Sequence, residues 1–299
     1  MSKLSPHFAA GLPNLLVFGL GFTGRAVARR MQAQGWRAWA AVRSAEAAAQ
    51  ARALGVTPLE AADEAALVAA PAMNALLVTA PPDDRGCPGL RALVPAIARA
   101  NAFPDWIGYL STTGVYGDRE GRWAWEASPL AARSVEAARR VAAERDWLEV
   151  GRGMGLTVQV FRLPGIYGPG RSALDRVREA GARSIVRPGQ VFSRVHVEDI
   201  AAGLAASIAR PRAGAVYNLC DDEPAPSHRV NREAARLLGA PPPPEVAFED
   251  ADLAPAARRF WSENKRVSNA LAKAELGWRP AYPTYREGLA AIHAAESRA

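Results

Sequence analysis

Short runs of apolar residues alternate in the first half of the chain with longer segments in which apolar positions recur at helical spacing. A short apolar run between turn signals is typical of a buried strand, and a longer amphipathic segment is typical of a helix. The predicted strands are residues 15–18, 36–42, 75–79, 106–110 and 156–161, and the longest helical pattern covers residues 130–150. This alternation predicts an α/β fold with a doubly wound parallel sheet and helices on both faces.

A glycine-rich turn follows the first predicted strand and leads directly into a helical pattern. Gly19, Gly21 and Gly24 match the spacing GxGxxG, and Phe22 and Thr23 open the helix. The first glycine permits a tight turn, the second lets a diphosphate approach the backbone, and the third lets the helix pack on the strand. The helix start also attracts phosphate through its free N–H groups. We therefore expect these residues to bind a dinucleotide; the alternative is an ordinary strand-to-helix turn.

The end of the second predicted strand indicates which dinucleotide is bound. An acidic residue here binds the ribose 2′-hydroxyl of NAD, whereas an arginine accommodates the 2′-phosphate of NADP. Val42 occupies this position, and Arg43 and Ser44 follow it. An arginine fork and a hydroxyl suit a phosphate dianion. We expect NADP rather than NAD, against the alternative that Arg43 simply follows a surface strand.

The regular alternation loosens in the second half of the chain. Pro164, Pro169 and Pro188 interrupt it, and two more strands are predicted at residues 191–195 and 215–219. We expect two domains with a flexible N-terminus before them. Residues 14–161 and 191–219 form the predicted nucleotide-binding domain, residues 162–190 and 220–299 form a smaller substrate-side domain, and residues 1–13 form the N-terminal segment.

Composition narrows the class of protein. The chain has 299 residues, of which 49% are hydrophobic and 22% charged, as is usual for a soluble enzyme. It has no apolar stretch long enough to span a membrane and no apolar secretion signal, so we expect a cytoplasmic protein without membrane association. The net charge of +7 is carried by dispersed arginines, so we expect no nucleic-acid partner; an RNA-binding function rests on charge alone. Two isolated cysteines and four separated histidines predict no metal site.

Five segments together give the chain a family resemblance. In order they are GLGFTG, YLSTTGVYGD, FRLPGIYGPGR, RVHVEDIA and GAVYNLCDDEP. The chain resembles the extended short-chain dehydrogenase/reductases, the group of the nucleotide-sugar epimerases and dehydratases. The resemblance implies a seven-stranded Rossmann-type sheet with a smaller C-terminal substrate domain over its carboxyl edge. It also implies a small-molecule substrate and a possible homodimer formed through the long helices.

The resemblance assigns catalytic roles residue by residue. In that family a Ser or Thr ahead of the VYG segment binds the substrate oxygen, and the matching residue is Thr112. A YxxxK pair follows on the long helix and moves the proton. With Glu144 matched to the acidic residue that often follows the lysine, Glu136 stands at the tyrosine position and Arg140 at the lysine position. Both residues of the pair are therefore replaced.

This replacement leaves two interpretations open. Glu136 and Arg140 either substitute for the acid/base pair or form a surface pair one helical turn apart. Tyr116 and Tyr167 are alternative proton donors, although tyrosines in such segments are more often packing residues.

Other positions take their expected roles from the resemblance. Thr79, Pro81 and Pro82 end the fourth strand, where the adenosine ribose passes, with Asp83 and Asp84 after them, and Leu163 to Ile166 meet the nicotinamide. Trp123 and Trp125 form either a wall of the pocket or part of the core. His196 is expected to end a strand, and Glu198 or Asp199 to cap the next helix.

Two functions follow from these expectations. The first is an NADP-dependent oxidoreductase or epimerase/dehydratase-like protein that acts on a hydroxyl or keto group of a nucleotide sugar or a similar small molecule. The second is a non-catalytic NADP-binding sensor or scaffold. Thr112 favours the first function, and the replaced YxxxK pair favours the second.

Overall fold

The computed structural model of the protein describes residues 12–61, 63–70 and 72–298, so the predicted N-terminal segment lies almost wholly outside the described residues. The strands are β1 (Asn14–Phe18), β2 (Arg37–Val42), β3 (Thr57–Glu60), β4 (Ala75–Val78), β5 (Trp106–Thr112), β6 (Trp123–Ala124), β7 (Val158–Leu163), β8 (Gly165–Tyr167), β9 (Ser184–Val186), β10 (Arg194–His196), β11 (Val216–Asn218), β12 (Glu245–Ala247) and β13 (Arg266–Val267). The helices are α1 (Phe22–Ala33), α2 (Ala45–Ala53), α3 (Glu64–Ala69), α4 (Pro88–Ala100), α5 (Val135–Met154), α6 (Ala173–Arg178), α7 (Val197–Ala209), α8 (Ser227–Leu238), α9 (Pro255–Phe260), α10 (Ala270–Leu276) and α11 (Tyr285–Glu296).

A seven-stranded parallel sheet in the order β11-β7-β5-β4-β1-β2-β3 forms the centre of the fold. The order reverses between β1 and β4, which creates a crevice at the carboxyl edge of the sheet. The fold is therefore the predicted α/β, doubly wound, Rossmann-type arrangement.

Alternate residues of β1 enter two different cores. Leu15 and Val17 pack with residues of α1 and α7 on one face of the sheet. Leu16 and Phe18 pack with residues of α4 and α5 on the other face. Because successive strand residues point to opposite faces, a continuous apolar strand is buried on both sides.

Two strand predictions need correction. β3 was not predicted, because Pro58 and the polar ends of this strand weaken its pattern; it lies at the sheet edge, where proline is tolerated. The strand predicted at 191–195 is β10, and it pairs with β8 outside the main sheet. β11, and not this segment, pairs with β7 at the other edge.

The long helix begins and ends at identifiable caps. Ser134 accepts a hydrogen bond from the Ala137 N–H, and Gly155 closes the helix in the left-handed region with φ 68°. The predicted pattern at 130–150 therefore starts several residues too early.

A further hydrophobic cluster lies away from the central sheet. It contains Tyr167, Leu174, Val230, Tyr285 and Leu289, which join α6, α8 and α11. These segments belong to the predicted substrate-side domain, whose boundaries stay a prediction. Within the described chain, no helix has the length and apolar character that a membrane crossing requires.

Candidate active site

The glycine turn between β1 and α1 forms a backbone cradle at the crevice. Gly19 has φ +101°, and a Cβ there would lie 2.7 Å from Thr79 Oγ1. A Cβ on Gly24 would lie 2.8 Å from the Gly19 carbonyl oxygen. The space beside Gly21 is open. Gly19 and Gly24 are thus required for packing, and Gly21 leaves room for a ligand against the backbone.

The start of α1 suits an anionic ligand. Its N-cap is Gly21, which has no side chain to occupy the first N–H groups, and no acidic residue stands in the first turn. The helix begins at Phe22, and Thr23 is buried behind it. Free N–H groups at a helix start bind phosphate. The residues present therefore fit the diphosphate of a dinucleotide.

A cleft of about 550 Å³ lies beside the ends of β1 and β4. Arg43, Pro81, Pro82 and Arg85 are among its lining residues. In the described part of the chain, neither Arg43 nor Arg85 is within ion-pair distance of a carboxylate. Sequence reasoning missed Arg85, for which the only signal is its position in the turn after β4. The two arginines give the cleft a positive charge.

Neighbouring polar residues have defined partners. Asp83 forms an ion pair of 2.8 Å with Arg91, which lowers the pKa of the carboxyl to about 2. Ser44 Oγ accepts a hydrogen bond of 3.2 Å from the Ala47 N–H and so caps α2. The Thr79 hydroxyl donates to the Gly19 carbonyl oxygen and ties β4 to the glycine turn. Thr79 therefore stabilises the backbone of the glycine turn.

Thr112 is the last residue of β5 and lies in register with Leu163 of β7. Its Oγ1 accepts a hydrogen bond of 3.1 Å from the Gly114 N–H. Because this interaction uses an oxygen lone pair, the hydroxyl proton stays available to a second acceptor. Leu163 ends β7, and Ile166 lies three residues later in β8. The structure thus places Thr112 beside the segment expected to meet the nicotinamide.

Glu136 and Arg140 lie on α5 with different surroundings. Glu136 is exposed in the first turn of the helix. Arg140 Nη1 donates to Tyr109 Oη at 3.2 Å and to the Leu110 carbonyl oxygen. Both partners belong to β5, three and two residues before Thr112. Arg140 therefore holds the strand that carries Thr112.

Tyr116 is buried in a hydrogen-bond network. Its hydroxyl donates to Asn218 Oδ1 at 2.7 Å and accepts from Arg162 Nη1 at 3.0 Å. Burial raises the pKa of Tyr116 to about 12. Because both bonding directions are used inside the protein, this placement does not support the expected role of Tyr116 as proton donor. Burial likewise raises the pKa of Tyr167.

A buried ion pair lies next to the ends of β5 and β7. Glu144 and Arg162 have side chains only 3% and 6% exposed, with 2.7 Å between Arg162 Nη2 and Glu144 Oε2. The Ser111 hydroxyl also bonds to Glu144. Ser111 precedes Thr112, and Arg162 precedes Leu163. The ion pair therefore holds β5 and β7 one residue before Thr112 and Leu163. Sequence reasoning missed this role; its signal was a single arginine inside the apolar strand VQVFRL.

A second cavity of about 490 Å³ continues from Gly165 and Ile166. Its lining includes Tyr167, Tyr285 and the three arginines Arg171, Arg176 and Arg194. Aromatic walls with cationic groups suit a small organic anion. The cavity lies between β8, α6, α8 and α11, in the predicted substrate-side domain, and is called the substrate-side cavity below.

Trp123 and Trp125 are 44% and 52% exposed, so their packing in the core, one of the two expectations, is wrong. Neither lines the substrate-side cavity.

His196 and Asp199 have structural partners. His196 ends β10 as predicted, and its Nδ1 accepts a hydrogen bond from the Glu198 N–H at the start of α7. Burial lowers the pKa of His196 to about 4. Asp199 accepts hydrogen bonds from the N–H groups of Ala281 and Tyr282, and so fixes the C-terminal segment instead of capping its own helix.

Comparisons with known proteins support the α/β fold and indicate the family. The model of the NAD dependent epimerase/dehydratase family matches residues 87–220. A functionally unknown conserved protein from Silicibacter pomeroyi DSS is 48% identical; the match covers 95% of this chain and 99% of that chain, with a TM-score of 0.86. Protein YeeZ of Escherichia coli (strain K12) is 29% identical over 250 residues, 78% of this chain and 86% of that protein. A 3-diazoavenalumate denitrifying reductase of Streptomyces sp is 33% identical over 144 residues, 44% of this chain and 45% of that protein.

Proposed function

We propose that the chain, whose residues 87–220 match the model of the NAD dependent epimerase/dehydratase family, is an NADP-dependent oxidoreductase or epimerase. Its substrate is a small molecule with a hydroxyl or keto group, a nucleotide sugar or a similar compound. The coenzyme supplies or accepts hydride at the nicotinamide ring. The glycine cradle and the start of α1 hold its diphosphate. The Streptomyces relative is named a reductase, which supports a redox role.

The preference for NADP is supported by Arg43 and Arg85. Both line the cleft beside the end of β2, and both are free of ion pairs within the described residues. A 2′-phosphate placed there gains charge-assisted hydrogen bonds from these guanidinium groups. NAD offers only a neutral hydroxyl at the same position.

Thr112 carries the catalytic part of the proposal. Its hydroxyl is positioned by the Gly114 N–H and by the register of β5 with β7. In this geometry it donates to the substrate oxygen, where negative charge develops during hydride transfer. The cavity lined by Tyr167 and Arg194 lies next along the edge and receives the rest of the substrate.

A second function is favoured by a different observation. The guanidinium of Arg140 is engaged by Tyr109 and by the backbone of β5, and so it does not serve as the mobile ammonium of a YxxxK pair. A protein that binds NADP without turning it over, as a sensor or scaffold, needs only the cradle and the cleft.

One experiment separates the two functions. NADPH fluorescence is followed with the purified protein, first alone and then with a panel of sugar nucleotides and simple carbonyl compounds. The enzyme is supported by turnover that falls about 100-fold or more in Thr112→Ala and persists in the matched control Thr112→Ser, which keeps the hydroxyl. Binding without turnover on any substrate supports the sensor. If neither NADPH nor NADH binds, both functions are excluded.

A further inference from the structure

A tight turn from the substrate side of the molecule reaches the start of α1. Gly168 and Arg171 form a two-residue bridge, with N–H to carbonyl hydrogen bonds of 3.1 and 3.0 Å in the two directions. Pro169 and Gly170 lie between them, and Gly170 has φ +72°. Proline followed by a glycine of positive φ is typical of a type II turn. The backbone position of Arg171 is therefore well defined.

Packing holds this turn against the first residue of α1. A Cβ on Gly168 would lie 3.1 Å from Phe22 Cζ and 2.7 Å from Val197 Cγ1. The Arg171 guanidinium carbon lies 5.6 Å from the centre of the Phe22 ring. Because Phe22 begins α1, this contact brings the Arg171 cation to the edge of the glycine cradle.

The charge of Arg171 is available to a ligand. Among the described residues its guanidinium makes no ion pair and no hydrogen bond, only the contact with the Phe22 ring. Arg178, seven residues later in the chain, differs because it is paired with Glu296 at 2.7 Å. A guanidinium has several donors in a plane and matches phosphate oxygens well.

We propose that Arg171 binds the diphosphate of the coenzyme at the edge of the glycine cradle, beside the start of α1. This inference rests on the proposed function. The glycine cradle supplies backbone N–H groups, and Arg171 supplies a cation beside them. Arg171 also lines the substrate-side cavity, so coenzyme binding orders one wall of that cavity.

The proposed contact predicts how loss of Arg171 changes the affinities for NADP and NAD. NADP and NAD share the diphosphate, so loss of Arg171 weakens both equally. Arg43 faces the 2′-phosphate in the proposed function, so its loss weakens NADP alone. The ratio of the two dissociation constants therefore distinguishes a diphosphate contact from a 2′-phosphate contact.

The test measures the Kd of NADPH and of NADH by fluorescence titration, without substrate. The proteins are the wild type, Arg171→Ala, Arg171→Lys, Arg43→Ala and the control Arg183→Ala, which removes an exposed arginine of the same segment. For Arg171→Ala we expect Kd to rise about tenfold for both coenzymes. Arg171→Lys should restore part of the affinity, and Arg183→Ala should match the wild type. Thermal melts confirm that the exposed substitutions leave the fold intact.

Two failures are distinguishable. If the wild type binds coenzyme and Arg171→Ala binds it equally well, the inference is overturned and the proposed function stands. The inference is also overturned if Arg183→Ala weakens binding as much as Arg171→Ala, since the effect is then one of general charge. If the wild type binds neither coenzyme, the proposed function and the inference both fall.

Discussion

The buried ion pair of Glu144 and Arg162 predicts a large and specific loss of stability when one member is neutralised. In Glu144→Gln the Arg162 guanidinium keeps its charge in a site where its side chain is only 6% exposed. It also loses the carboxylate that accepts from its Nε and Nη2 groups, in place of which the glutamine amide has a single acceptor oxygen, and keeps Tyr116 Oη and the Glu126 carbonyl oxygen. Removing one member of a buried pair costs about 3–5 kcal/mol, a large fraction of the stability of a typical domain.

Urea unfolding followed by circular dichroism measures this cost. The matched control is Glu149→Gln on the same helix, because Glu149 is exposed and its contact with Arg145 is 4.0 Å long. The control should change the free energy of unfolding by less than about 0.5 kcal/mol. The double substitution Glu144→Met with Arg162→Met removes both charges together, and should cost less than Glu144→Gln alone.

Two results would refute this reasoning. One is a Glu144→Gln variant whose stability is within about 1 kcal/mol of the Glu149→Gln control, which is the range of exposed pairs. The other is a double variant that loses as much stability as Glu144→Gln or more, because removing both charges together leaves no unpaired charge in the core.

Three further predictions concern the coenzyme cleft and a buried carboxyl. Gly24→Ala places a methyl group 2.8 Å from the Gly19 carbonyl oxygen, so NADPH titration should show about tenfold weaker binding or worse; unchanged affinity would contradict the cradle. Arg43→Asp should weaken NADP binding by about tenfold or more and leave NAD within about twofold, whereas equal loss for both would remove the argument for NADP. Asp221 is 2% exposed, and burial raises the pKa of its carboxyl to about 8 although the nearby Arg194 lowers it. Because the folded pKa lies above the unfolded one, its stabilising contribution is lost as the pH rises from about 4 to about 8. Urea unfolding at about pH 5 and about pH 9 should show that the wild type loses more stability over this range than Asp221→Asn does. An equal change in the two proteins would contradict the raised pKa of Asp221.

The parts of the site that depend on local backbone geometry were predictable from the sequence. The glycine turn is one such part, because Gly19 and Gly24 are required by contacts within a few residues of each other or with the adjacent strand. Thr112 is another, because the end of a buried parallel strand must lie at the carboxyl edge of the sheet.

The parts that depend on distant contacts were not predictable. In the sequence Arg162 only interrupts an apolar strand. Its role comes from Glu144, which lies on the preceding helix and contacts it in the folded protein. Arg171 reads as a loop residue until the turn that carries it is packed on Phe22, about 150 residues earlier in the chain. β3 was missed for another reason, since its pairing with β2 overrides a weak local strand pattern.

Two polar side chains of α5, Arg140 and Glu144, hold β5 in place. Arg140 bonds to Tyr109 and Leu110, and Glu144, one helical turn later, bonds to Ser111. Together they hold the strand immediately before Thr112 from one side. An arginine committed to these contacts holds the end of β5 and is not placed as the mobile ammonium of a YxxxK pair.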